Sequence, residues 1–327
     1  MKVVLDLSRL RREGKISQEE FERLSRLAAR DTGSLAINIL IGLGVVAVSG
    51  GFLALVRNEL AVAAIGAAVL AGGLAFTYAG AKRWDVLATI CLLVGALLLA
   101  GDIVWFGEGK LAALLLATLV LGGAGIAGRS NLLVALAVLG LAVCLGASTG
   151  YWHASYALTI TEPTVTIVSF SALALAAYVA SHRLGGDYEP LALTASRVSL
   201  LLVNFGFWIG SLWGDYPGET WAQGEDYRLW SDREAWRTAH LHVPEIAFIV
   251  GWAIVIIAVG AWAARTNRRW VVTTAAVFGA IEFYTQWFER LGAEPWAIII
   301  GGLTVVAFAI ALWRYNLTGG GPATVAA

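Results

Sequence analysis

Ten apolar stretches, each 17 to 22 residues long, constrain this chain more than any other feature. They lie at 35–56, 60–80, 86–106, 111–127, 132–150, 164–181, 198–214, 244–264, 270–289 and 295–316. A helix rises about 1.5 Å per residue and the hydrocarbon core of a bilayer is about 30 Å thick, so about twenty apolar residues cross it. Inside that core every backbone N–H and C=O must be bonded within the protein, which leaves helices as the solution for runs of this length. The expected fold is an all-α, polytopic transmembrane helix bundle of about ten spans, with a short cytoplasmic helical hairpin at the N-terminus. Composition agrees: 58% of the residues are apolar and 14% charged, against about 45–50% and about 25% in soluble domains.

Basic residues set the expected orientation. With the N-terminus inside, 17 of the 23 Lys and Arg residues fall on inner segments and 6 on outer ones. Cytoplasmic segments carry this excess, so both termini are expected in the cytoplasm. Tryptophans mark the expected boundaries, with Trp84, Trp262, Trp270 and Trp313 inside and Trp105, Trp152, Trp213, Trp287 and Trp296 outside. Arginine dominates lysine, and with abundant Ala and Gly this points to a GC-rich bacterial genome and thus to a bacterial inner membrane. The formal net charge is zero, so no nucleic-acid partner is expected. Small residues crowd 73–81 and 122–128, where they should let helix backbones pack closely.

Three segments lie outside the spans. Residues 1–34 read as a basic helical hairpin, in which Ser17 and Glu20 form a capping box, flanked by Ile16 and Phe21 as a staple. This polar start does not read as a cleavable signal peptide. The large outer loop, 215–243, carries six acids and three tryptophans, and a helix is expected over 232–242, opened by Ser231 and Glu234 and lying along the interface. The Gly-rich residues 317–327 read as a disordered tail.

Ionisable groups at membrane depth are the candidates for function. A charge facing lipid costs about 2.5–3.5 kcal/mol on insertion scales, so such a group should face protein or a cavity. Two qualify, Asp102 and Glu282, both in the outer half of their spans. Gln286 and Glu289 follow Glu282 at i+4 and i+7, and Phe278, Thr285 and Glu289 share its helical face. These four residues, Asp102, Glu282, Gln286 and Glu289, form the candidate cavity or proton-linked set, with Thr285 as a hydroxyl that could pair with a carboxyl. His153, His240, His242 and Glu245 form a second, outer-face polar cluster. A His-x-His pair on a helix splays its rings by about 200°, so interfacial hydrogen bonding is expected there rather than a metal. Cys91 and Cys144 read as core filler. No phosphate-binding Gly loop, G-x-S-x-G, H-E-x-x-H or CxxC is present, so no catalytic set, metal or cofactor is expected.

The run LRREGKISQEEFERL (residues 10–24), the Gly-rich first span after it and the exit at Arg57-Asn58 resemble the bacterial membrane proteins grouped as domain-of-unknown-function family 2157. The resemblance covers roughly residues 1–130. It implies the same architecture and carries no activity. Three functional readings follow, in order. The first is a transporter or proton-linked permease using the outer-half carboxylates. The second is a membrane scaffold, sensor or assembly factor. The third is an intramembrane enzyme. The expected partners are the lipid bilayer and a protein docking at the N-terminal hairpin or the outer loop.

Overall fold

A computed structural model describes residues 58–79, 85–152, 155–222, 230–266 and 268–291, with isolated positions among 15–55 and 294–310. The first expected span, most of the N-terminal hairpin, much of the tenth span and the tail lie outside the described residues. The capping box is within them: the Glu20 amide donates to Ser17 Oγ (3.1 Å) and the Ser17 amide to Glu20 Oε2 (2.8 Å).

The described elements run α1 (Glu59–Ala79), α2 (Asp85–Phe106), α3 (Leu111–Ala127), α4 (Asn131–Cys144), β1 (Ala147–Trp152), β2 (Ser155–Ile160), α5 (Pro163–Arg183), α6 (Tyr188–Trp213), α7 (Glu219–Ala222), α8 (Trp230–Ala239), α9 (Glu245–Arg265) and α10 (Arg269–Leu291). Five helices, α1, α2, α5, α6 and α9, are long and apolar enough to cross a membrane. The helix α10 has the length, but its interior polar residues keep it outside that set. The helices α3 and α4 are apolar but shorter. At 1.5 Å per residue the 17 residues of α3 reach about 25 Å.

The surface makes the same argument as the sequence. Leu119, Leu175, Ile254 and Ile257 on the spanning and apolar helices are each 60% exposed or more. Water-soluble proteins rarely carry continuous apolar surface of this kind. Lipid is the solvent that suits it, and the chain is an α-helical membrane protein.

Two compact units divide the chain: Met1–Leu141 with Gly186–Leu191, and Ala142–Gly185 with Ala192–Ala327. In the first, Leu92, Leu93, Ala96, Leu121 and Leu133 form the core. Close backbone approach explains its small residues. A Cβ on Gly95 would lie 2.4 Å from the Leu70 amide nitrogen, and one on Gly73 2.7 Å from that of Leu92. Asn58 opens α1 by accepting from the Ala61 amide at 3.1 Å. Within the Gly-rich 122–128, α3 runs unbroken to Ala127 and Gly125 packs against Val134.

In the second unit Phe170 of α5, Phe207 of α6, Trp252 of α9 and Phe278 of α10 form the buried centre. Trp252 is fully buried, so its indole N–H needs a partner; Asn204 Oδ1 accepts it at 3.0 Å.

Three boundaries differ from expectation. The fifth stretch, expected to span 132–150, is helical only to Cys144. Gly146 then takes a left-handed φ of +88° and the chain turns into an antiparallel hairpin pairing Ala147 with Ile160 through Trp152 with Ser155. Thr, Tyr, Trp and Ile in these strands suit a pleated surface. The helix α6 begins at Tyr188, ten residues before the apolar stretch it contains. Over the 232–242 segment expected to be helical, the helix is α8, which starts earlier and ends at Ala239.

Candidate functional site

All polar features described next, apart from Asp102, belong to the second unit. At one end of it the β-hairpin, α7, α8 and the starts of α5 and α9 form a polar cap. The hairpin closes at Thr161, whose hydroxyl donates to the Gly146 carbonyl and accepts from the Thr220 hydroxyl at 2.9 Å. The next residue, Glu162, precedes Pro163 at the start of α5. Its side chain does not cap its own helix. It reaches the 218–220 turn instead, where Oε2 accepts from the Gly218 amide (2.8 Å) and Oε1 from the Thr220 amide (2.7 Å). The vacated N-terminus of α5 is capped by Asp215, whose Oδ2 accepts from the Thr164 amide at 2.7 Å. Asp215 also pairs through its backbone with Val243 in both directions at 2.9 Å, tying the end of α6 to the start of α9.

These two acids interlock three segments and both are withdrawn from solvent, Glu162 fully and Asp215 to 4% exposure. Burial pushes the Asp215 carboxyl above its ordinary range; hydrogen bonding from Thr164 offsets part of this, and the Glu162 charge adds to it.

Beside them Glu219 joins α7 to α8. It accepts from Arg237 Nε (2.9 Å) and Nη2 (2.8 Å), and from Arg233 Nε. Burial alone would raise the Glu219 carboxyl, but the hydrogen bonds and charges of Arg237 and Arg233 outweigh it and hold it below its ordinary range. The Arg237 guanidinium also lies 4.8 Å from the Tyr216 ring centroid.

The expected outer-face cluster is distributed along this cap. The His240 ring stacks on Trp236 at 3.9 Å and its Nδ1 meets the Trp236 carbonyl at 2.7 Å. The His242 ring stacks on Tyr216 at 4.5 Å. The two histidines thus engage different aromatic partners. Glu245 is exposed in the first turn of α9. His153 lies outside the described residues. Among the described residues no three His, Cys, Asp or Glu side chains converge as metal ligands.

The candidate cavity residues belong to different units. Asp102 is buried on α2, in the first unit. Glu282 is buried on α10, in the second. Among the described residues Glu282 has no ion pair or hydrogen-bond partner. One turn on, Gln286 Nε2 is buried without a hydrogen-bond partner among the described residues. Thr285 serves α6 rather than the carboxyl, accepting from Trp208 Nε1 at 3.1 Å. Glu289 is exposed.

Glu162 was not among the sequence candidates. The readable signal was an acid directly before a proline that opens an apolar helix, a position that favours negative charge. No family model, no curated protein and no solved structure matches the chain.

Proposed function

We propose that this chain is a ten-span protein of a bacterial inner membrane, with both termini cytoplasmic, and that it works as a proton-linked permease in which Glu282 gains and loses the proton. The supporting observation is Glu282 itself: a buried carboxyl inside a membrane-length helix, without a pairing side chain among the described residues, one turn from the buried Gln286 amide. A carboxyl that only held helices together would have a partner across the interface. One that cycles a proton needs a setting that admits both forms. Asp102 is a second buried carboxyl, in the other unit. Membership of the N-terminal third in domain-of-unknown-function family 2157 is proposed on residues 10–24 and adds no mechanism.

Glu282→Gln keeps the shape and cannot titrate. In proteoliposomes loaded with a pH-reporting dye, the wild type should acidify the lumen after an external acid step faster than empty vesicles. The variant, with an unchanged melting temperature, should not. Carbodiimide should label Glu282 in the wild type. Equal acidification by wild type and variant sinks the reading.

The cap favours a second reading, a scaffold or sensor. Its interlocked acids fasten α5, α6 and α7 to one another beneath a polar end of the second unit, which we propose faces outside and suits a protein partner.

A further inference from the structure

Away from the cap, α5, α6, α9 and α10 leave a groove of about 520 Å³. It lies in the range of about 300–1,000 Å³ typical of small-molecule sites. Its walls are apolar: Ala174 and Leu175 from α5, Leu200 and Val203 from α6, Val255 and Val259 from α9. Leu175 and Val255 are exposed, so the groove opens to the same surroundings as the lipid-facing surface.

Its charged lining gathers near the start of α10. Arg197 of α6 lies over the Trp270 ring, with 5.3 Å from guanidinium carbon to centroid. Arg268, immediately before α10, lies 5.9 Å from the Tyr178 centroid. Trp262 packs edge-on against the same tyrosine. Among the described residues no Asp or Glu lines the groove. Among the described lining residues the one buried hydroxyl, Ser196, already donates to the Ala174 carbonyl at 3.0 Å. The charge that the described lining presents is therefore cationic, with the Ser171 and Tyr178 hydroxyls as further polar groups, and it is backed by aromatic rings that sit well at a bilayer interface.

We propose that this groove binds an anionic phospholipid, its phosphate held by Arg197 and Arg268 and one acyl chain lying along the α5–α6–α9 walls. Charge complementarity selects the head. The volume and lateral opening suit a chain entering from the bilayer. Basic pockets between spanning helices are a known way of holding acidic lipid headgroups. The site is independent of Glu282, which does not line it, so it stands or falls apart from the permease reading.

The test uses the full chain in neutral detergent, titrated with phosphatidylglycerol or with phosphatidylcholine of identical chains and read by native mass spectrometry. The wild type should hold one phosphatidylglycerol with at least about tenfold preference, the scale expected for two arginines near a lipid phosphate. Arg197→Gln with Arg268→Gln should abolish the preference. The paired lysine variant should retain most of it. Val259→Trp, which fills the groove and leaves both charges, should weaken binding of both lipids. Arg183→Gln, exposed and outside the groove, should bind as the wild type does. Equal preference in the wild type and the double glutamine variant overturns the proposal, and so does an equal loss in Arg183→Gln. Glycerol 3-phosphate competing as strongly as the lipid would make the occupant a free phosphate. A dimer whose formation excludes phosphatidylglycerol would make it a second copy. Either result overturns the lipid assignment.

Discussion

Glu162 gives the sharpest test of the cap. Its carboxylate accepts the Gly218 and Thr220 amides at 2.8 and 2.7 Å while fully buried. Hydrogen bonds to a charged acceptor contribute about 1.5–3 kcal/mol each. Glu162→Gln keeps one acceptor oxygen and turns an NH₂ group toward the other amide, so one donor loses its partner and faces another donor. An orphaned, partly buried donor costs about 1–3 kcal/mol. Against this, the variant no longer buries a charge, which returns part of the loss. The net expectation is about 1.5 kcal/mol for local opening of the 218–220 turn. Since 1.4 kcal/mol is a factor of ten, amide exchange there should accelerate about tenfold. Glu162→Ala removes both acceptors and should accelerate it about a hundredfold or more.

The assay is hydrogen–deuterium exchange with mass spectrometry in nanodiscs, following peptides that cover residues 214–222. Peptides from α1 and α2 serve as the internal reference. If exchange in 214–222 stays within twofold of the wild type in both variants, the bonds to Glu162 do not hold the turn, and the interlocking account of the cap is wrong.

Two neighbouring acids should show opposite pH behaviour. The Asp215 carboxyl is raised in the fold, so its contribution is fully present below its unfolded value and declines as pH rises through the folded one. Asp215→Asn, which still accepts from Thr164, should therefore gain melting temperature relative to the wild type between acid and neutral pH; a flat difference refutes the assignment. The Glu219 carboxyl is lowered, so its contribution is present above the unfolded value of about 4.5 and declines as pH falls through the folded one. The loss caused by Glu219→Gln should then be full at neutral pH and shrink in acid. In the first unit, Gly95→Ala should destabilise by about 1–3 kcal/mol, because its Cβ would sit 2.4 Å from Leu70 N. Gly72→Ala, with nothing within 4 Å of the added Cβ, should be neutral or stabilising, and equal melting of the two variants would show that backbone approach does not set this interface. For topology, single cysteines at Glu234 on α8 and at Gly185 after α5, both exposed, should react with membrane-impermeant maleimide from opposite faces. Reaction from one face would remove the orientation.

What was legible in the sequence followed from local chemistry. The apolar stretches 60–80, 86–106 and 111–127 became α1, α2 and α3 within a residue or so, because transfer to lipid and backbone satisfaction both act along one contiguous segment. The Ser17–Glu20 box could be read for the same reason, its bonds spanning three residues. Hydropathy stopped being informative where an element is apolar without being a span. Leu145, Ala147 and Gly150 extend the apolar run of α4, yet Gly146 turns the chain into the hairpin. That glycine looks like the other glycines of a Gly-rich chain until its φ is known. The start of α6 failed in the opposite way. Glu189, Thr194 and Arg197 are too polar for a span, but a helix can extend beyond the hydrocarbon without losing its internal bonds.

The site was legible in its parts and not in its pairing. The Glu282 side chain is buried. Its expected hydroxyl neighbour Thr285 was committed to Trp208, 77 residues away. In the cap the deciding bonds join residues 51, 56 and 58 positions apart, Asp215 to Thr164 and Glu162 to Gly218 and Thr220. One sequence supplies the acids but not the register that brings them together. The exchange of roles is the instructive case. An acid just before a helix is ordinarily taken as that helix's cap. Here α5 takes its cap from the end of α6, and Glu162 is released to hold α7. Each acid fastens an element that is not its own neighbour in sequence, so the cap depends on the register that α5 and α6 keep in the folded chain.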